Sequence, residues 1–299
     1  PTDAQSEEDL IKKADIAMYR AKELGRNGHV NYSETLESDS GNKVLLTNEL
    51  YEAIERDELL LHYQPQVLSE TTGIIGLEAL IRWQHPEKGM IPPGQFISHA
   101  EQSDLIHPIG NWVIDTACRD LRALIDAGHR GIRMAINLSL KQFLADALLP
   151  HIRSTLERYD LRPEMLEFEI TESIAMGQQQ PIIETIAELR KFGVSLSIDD
   201  FGTQYSSLSR LSQLPFDRIK IDRQFVMDLE QGDTSSAIIG FIIELSKNMG
   251  YSVIAEGVET KEQFDYLRNR GCGEIQGFYF HKPMPFGDLL EILVHRQNP

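Results

Sequence analysis

The sequence predicts an α/β fold: a modified (β/α)8 barrel of the TIM type with an antiparallel first strand, plus a short N-terminal helix. Three observations carry this expectation. From residue 44 onward, short apolar runs alternate with longer amphipathic ones, the pattern of repeated βα units around a parallel sheet. The short runs number eight, at residues 60–67, 74–83, 132–138, 166–171, 195–198, 218–221, 253–255 and 274–280. The first two are joined only by residues 69–73, too few for a helical crossover, so they form an antiparallel hairpin.

In chain order, residues 7–24 read as a helix, because Leu10, Ile11, Ala14, Ala17, Met18, Ala21 and Leu24 recur at spacings of three and four before Gly25. Residues 33–43 are polar and turn-rich, the composition of a linker. The chain therefore divides into 1–32, the linker 33–43 and a barrel at 44–299, a length that buries a large core. Between the candidate strands, Ile109, Trp112, Val113, Ala117, Leu121, Leu124 and Ile125 mark a helix that ends at Gly128. Ile182, Ile183, Ile186 and Leu189 mark another that ends at Gly193. After Glu259, Thr260 and Gln263 have the spacing of a capping box, and Gly271 closes that helix.

Composition excludes several classes. Hydrophobic residues at 41% and charged residues at 25% are ordinary for a globular chain, and no apolar run approaches the ~20 residues of a membrane span. The polar, acidic start lacks the pattern of a signal peptide, so a cytoplasmic location is expected, with any membrane tether lying in regions outside this chain. Cys118 and Cys272 stand far apart in apolar surroundings and suggest neither a disulfide framework nor a zinc site. The formal net charge of −17 argues against a long nucleic-acid partner, although cations could neutralise a small anionic ligand locally. His62, His85, His99, His107, His129, His151, His281 and His295 lack ligand spacing, and Trp83 and Trp112 read as wall-packing residues.

Barrels of this class build their active sites at the C-terminal ends of the strands. There the second strand carries Glu78, the third Asn137, the fourth Glu169 and Glu172, and the fifth Asp199 with Asp200. The sixth contributes Lys220 and Asp222, the seventh Glu256 and Glu259, and the eighth Gln276. Charged residues are rarely buried unless paired or coordinating, yet these interrupt apolar strands. Converging carboxylates must take up protons or be neutralised by cations, and an oxygen-only donor set suits Mg²⁺ or Mn²⁺. Adjacent Asp199 and Asp200 allow one carboxylate to bridge two ions ~3.5–4 Å apart, the arrangement that hydrolyses phosphodiesters.

The run Glu78-Ala79-Leu80-Ile81-Arg82-Trp83 resembles the signature of the EAL family of cyclic di-GMP phosphodiesterases. The resemblance continues in order through Asn137-Leu138-Ser139, Glu169-Ile170-Thr171-Glu172, Asp199-Asp200-Phe201-Gly202-Thr203, Ile219-Lys220-Ile221-Asp222, Glu256-Gly257-Val258-Glu259 and Gln276-Gly277-Phe278. It implies a barrel that opens cyclic di-GMP to linear pGpG with two Mg²⁺ or Mn²⁺ ions. By that resemblance Glu78, Asn137, Glu169 and Asp199 bind the first ion, and Asp199 and Asp200 the second, with Glu256 coordinating directly or through water. Lys220 orients the attacking water, while Gln66, Arg82 and Gln276 contact substrate. Glu172 supports the loop after Asp200, which the resemblance links to homodimer formation. The family pattern in that loop is Gly-Thr-Gly-Tyr, whereas this chain has Gly202-Thr203-Gln204-Tyr205.

Residues 14–22 followed by Gly25-Arg26-Asn27 resemble the end of a GGDEF diguanylate cyclase domain, which implies upstream GGDEF or sensor domains in the intact protein. Two alternatives to catalysis stay open: a receptor that binds cyclic di-GMP without cutting it, and a regulatory dimerisation module.

Overall fold

Strand by strand, apolar runs close into a ring. The computed structural model describes residues 6–7, 9–11, 13–14, 17–18, 29–33, 46–47, 49–177, 179–203, 211, 214–230 and 233–297. Strand β1 (Leu59–Leu68) buries Leu59, Leu61 and Tyr63 on its outer face and turns Gln64 and Gln66 inward. It pairs antiparallel with β2 (Ile74–His85), from Leu59 opposite Trp83 to Val67 opposite Ile74, which is the expected hairpin. β3 (Gly89–Ile91) adds an antiparallel edge to the far end of β2.

From β2 the ring runs in parallel through β4 (Arg133–Asn137), β5 (Leu166–Thr171), β6 (Ser195–Phe201), β7 (Arg218–Ile221), β8 (Ser252–Ala255) and β9 (Glu274–Ile275). It closes where Val67 of β1 lies antiparallel to Ile275. β10 (Met284–Pro285) pairs outside the ring with β1. Eight strands form the closed barrel, and β3 and β10, with three and two residues, are too short to leave a period in the sequence.

One strand is shorter than expected. The eighth candidate ran to residue 280, but the ladder ends at Ile275. Beyond it Gly277 lies against Val258, where a Cβ would meet the Val258 carbonyl oxygen at 2.0 Å. The Phe280 and His281 amides then turn back onto the Gly277 carbonyl.

Outside the ring lie α1 (Ile97–Gln102), α2 (Ile106–Asp126), α3 (Leu140–Phe143), α4 (Leu148–Arg158), α5 (Glu172–Ala175) and α6 (Gln180–Phe192). They are followed by α7 (Arg223–Met227), α8 (Asp233–Met249), α9 (Lys261–Asn269) and α10 (Phe286–Gln297). α2 buries Ile109, Val113, Ala117, Leu121 and Leu124 as its spacing predicts. Gly193 ends α6 in the left-handed region at φ 106°, and the Thr260–Gln263 capping box opens α9. Trp83 is fully buried and donates from Nε1 to Glu58.

Barrel interiors of this type are usually filled by aliphatic side chains. Here the layer beneath the rim is ionic. Arg218 meets Glu167 at 3.2 Å and Glu274 at 2.7 Å, and Arg133 meets Glu167 at 3.0 Å and Glu274 at 3.3 Å. Two guanidinium groups balance two carboxylates, which makes their burial tolerable.

Of the helix expected over 7–24, residues 7, 9–11, 13–14 and 17–18 are helical and Ala17 is buried; the rest, with residues 34–43 and Gln204, lies outside the described residues. Among the described residues no helix is long and apolar enough to cross a membrane.

Candidate active site

Above the ionic layer, the inward faces of β2, β5, β6, β7 and the end of β8 bring their charges to one point. Lys220 sits mid-β7, where a strand buried throughout directs its side chain into the barrel. Its Nζ lies 2.5 Å from Glu169, 2.6 Å from Glu256, 3.1 Å from Asp199 and 3.7 Å from Glu78. Burial alone would lower the Lys220 pKa, but Asp199, Glu169, Glu256 and Glu78 hold it well above its ordinary value. Ringed by four carboxylates, Lys220 is a cation in this arrangement.

Glu78 lies within β2, seven residues before its end, and not at a strand terminus as expected. It accepts from Asn137 Nδ2 at 2.8 Å and from Gln276 Nε2 at 2.5 Å. Burial pushes the Glu78 carboxyl up, yet Lys220, Gln276 and Asn137 together hold it below the usual range. Glu169 goes the other way: burial raises it far, and Glu78, Asp199 and Glu256 add repulsion against the pull of Lys220. Glu256 is pushed up to about 8, chiefly by burial and then by Asp199 and Glu78, against the pull of Lys220.

The two aspartates owe their aim to an irregularity. Between Ile198 and Phe201 the β6–β7 register shifts, and Asp200 takes φ 54°. A bulge of this kind lets consecutive side chains escape the strict alternation of a strand. Asp199 turns to Lys220, while Asp200 is pushed up to about 7, chiefly by burial, then by Asp199 and by Asp222 beside it. Asp222 also caps α7 by accepting from the Gln224 amide at 2.8 Å. Glu172, buried at the start of α5, accepts from the Gly202 amide at 3.0 Å.

Other expected members fall elsewhere. Glu259 is exposed beyond the cluster, and its amide donates to Gln263. Gln66 is fully buried and is held by Gln276 and Arg218, so it lies beneath Gln276 and not at the surface of the site. Arg82 is on the same face of β2 as Glu78 and half-buried, with Nη1 donating to the Ile81 carbonyl at 2.8 Å. Gln64, which carries no motif signal of its own, accepts from Gln276 Nε2 at 3.1 Å, and its period-2 alternation with Gln66 in β1 places both on one face.

A cavity of about 290 Å³ opens beside Asn137. It is walled by Leu80, Ile81, Ile97, Ile106, Ile109 and Val113, with Glu101, Ser139 and Gln142 as polar points. Two residues beyond Gln276, Phe278 is exposed and lies under the Lys282 ammonium at 5.4 Å from the ring centre.

The donor set fits a hard divalent cation. Every candidate ligand offers oxygen, Glu169 Oε1 is buried without a hydrogen-bond partner, and Glu256 Oε1 meets Lys220 only as an ion pair. As the side chains stand, with Lys220 Nζ among them, no group of three or more His, Cys, Asp or Glu residues takes metal-holding geometry among the described residues.

The EAL domain family model matches residues 47–283. The chain belongs to the EAL family. Similar EAL proteins include the Pseudomonas aeruginosa bifunctional diguanylate cyclase/cyclic di-GMP phosphodiesterase MucR, 42% identical over 97% of this chain and 42% of that protein. The Escherichia coli cyclic di-GMP phosphodiesterase PdeR is 37% identical over 92% of this chain and 42% of its own. Among solved EAL structures, the MucR phosphodiesterase in complex with c-di-GMP superposes with TM-score 0.80 at 44% identity, covering 82% of this chain and 99% of that one. The EAL enzyme Bd1971, bound to cAMP and cyclic di-GMP, superposes with TM-score 0.82 at 32% identity over 97% of this chain and 76% of its own. This chain spans about two fifths of the length of the curated relatives it matches.

Proposed function

We propose that this EAL barrel hydrolyses cyclic di-GMP to linear pGpG with the help of two divalent cations, Mg²⁺ or Mn²⁺. The observation that carries the reading is the convergence of Glu78, Glu169, Asp199 and Glu256 on one point with Asn137 beside them. The names of the relatives agree with it. Glu78, Asn137, Glu169, Asp199, Asp200 and Glu256 are the residues that would hold the ions. When bound, those ions supply charge neutralisation at the phosphate and an acidified water.

The chain's own groups do the remainder. Lys220, held protonated, donates hydrogen bonds and orients the attacking water toward phosphorus. Arg82 offers a fork of donors to a phosphate. The aliphatic cavity beside Asn137 accepts one guanine, and exposed Phe278 offers a stacking face to the other. Attack by water breaks one P–O3′ bond and leaves a 5′-phosphate dinucleotide.

The test is incubation of the chain with cyclic di-GMP and Mg²⁺ or Mn²⁺, with and without EDTA, resolving nucleotides by chromatography. Metal-dependent pGpG is expected, lost in Glu78→Ala while that variant keeps its cooperative melting. The competing outcome of this test is a receptor that binds cyclic di-GMP at the same site without cutting it. Tight binding of intact cyclic di-GMP with no turnover in either metal would establish that reading.

A further inference from the structure

We infer that Arg218, which lies below the site, is a positioning residue whose guanidinium sets the orientation of a chain of glutamine amides ending on Glu78; the inference rests on the phosphodiesterase reading only for its kinetic readout. Arg218 is 1% exposed, and its Nη1 donates to Gln66 Oε1 at 3.3 Å. Gln66 Nε2 donates to Gln276 Oε1 at 3.0 Å, and Gln276 Nε2 donates to Glu78 Oε2 at 2.5 Å and to Gln64 Oε1 at 3.1 Å.

Each link is directional for a chemical reason. A guanidinium has donors and no acceptor, so only the oxygen of Gln66 can face it. That leaves the Gln66 amide nitrogen facing upward, which requires the oxygen of Gln276 to face down. The Gln276 nitrogen then faces Glu78, whose carboxylate accepts only. Reversing any one amide would set oxygen against oxygen or nitrogen against nitrogen in a buried layer.

The neighbouring fold is shaped to keep this chain in place. Gly76 stands opposite Gln66 in the β1–β2 ladder, and a Cβ there would meet Gln66 Oε1 at 2.6 Å. Glu167 and Glu274 hold Arg218 from two further strands, with Arg133 sharing both carboxylates. Arg133 makes no hydrogen bond to Gln66 that would set its amide, so the two arginines share the ion-pair layer and differ in their link to the amides.

The inference separates the two arginines experimentally. Arg218→Met, Gln66→Leu and Gly76→Ala should each lower kcat/KM by about tenfold or more, and Arg218→Met combined with Gln66→Leu should lose no more than Gln66→Leu alone. Arg133→Met should lower the melting temperature yet keep kcat/KM within about twofold. Activity lost in parallel with stability in both arginine variants, or multiplicative losses in the double variant, would overturn the assignment. A readout independent of turnover is solvent exchange of the Gln276 side-chain amide protons, followed by ¹⁵N NMR. It should be slow in the wild type and Arg133→Met, and about tenfold faster in Arg218→Met and Gly76→Ala. If the wild type neither cuts nor binds cyclic di-GMP but this pattern holds, the proposed function fails and the positioning role stands. Unchanged exchange in Arg218→Met removes the positioning role.

Discussion

Cys118 and Cys272 show how far burial decides chemistry for a single residue. Both thiols are pushed up to about 12, Cys118 by burial and then by Asp115, Cys272 by burial and then by Glu274. A thiolate is the reactive form, so neither cysteine reacts with a disulfide reagent at pH 8 until the chain unfolds. The sign of the pH effect follows from the same shift. Unfolded thiols ionise near ~8.5, whereas the folded ones stay protonated, so their contribution to stability is complete below that pH and is lost as pH rises toward 12. Tyr63, raised by burial and by its 2.6 Å bond to Asp120, adds in the same direction at higher pH. Thiol titration with and without urea, and urea midpoints at pH 8 and 10.5, check both points; labelling of the folded protein at the rate of a free thiol would count against them. The wide separation of the two cysteines was legible, and with it the lack of a disulfide framework; the burial of Cys272, flanked by Gly271 and Gly273, was not. Arg218, Glu167 and Glu274 were not, since a charge inside a short strand gives no sign of which face it takes until the closed ring supplies its partner.

Among the elements, β6 shows where sequence reading stops. Its apolar run and paired aspartates were visible, and so was the nearby Glu172, but the register shift between Ile198 and Phe201 was not. A bulge adds no residue type of its own; it exists in the pairing between two strands, which one strand's sequence does not contain. The same reason hides β3 and β10, and the end of the eighth strand at Ile275, beyond which Gly277 packs against Val258 in the segment after β8. The βα alternation and the capping box of α9 were readable because they depend on local spacing alone. At the bulge, Glu172 accepts from the Gly202 amide just beyond β6, a charge-assisted bond that holds the strand's exit. Glu172→Gln keeps an acceptor there and should retain most of the turnover, whereas Glu172→Ala should lose about tenfold in kcat, consistent with the ~1.5–3 kcal/mol of a hydrogen bond to a charged group. Amide exchange at residues 201–203 should quicken in the alanine variant only; equal effects of the two substitutions would show that the bond does not hold the loop.

Over the whole molecule, the formal net charge of −17 and the barrel's inward carboxylates act together. The field of an acidic chain concentrates cations at its surface, and the cage gives them a specific destination. Within it four carboxylates surround one ammonium, so at least part of the negative charge must be met by protons or by metal. Burial and mutual repulsion push the Glu169 and Glu256 carboxyls up, the direction expected where carboxylates crowd together. A cation that binds the folded cage and not the unfolded chain stabilises by mass action, about 2.7 kcal/mol at a hundredfold excess over its dissociation constant. For a chain of this size each kcal/mol moves the melting temperature by about 2 °C, so Mg²⁺ or Mn²⁺ should raise it by about 5 °C. EDTA should reverse the rise, NaCl at matched ionic strength should not reproduce it, and Asp199→Asn should abolish it. A melting temperature indifferent to millimolar cation would mean that Lys220 and bound protons already satisfy the cage. The two-cation reading would then fall, because a cage already neutral by itself has no charge left to draw the ions in.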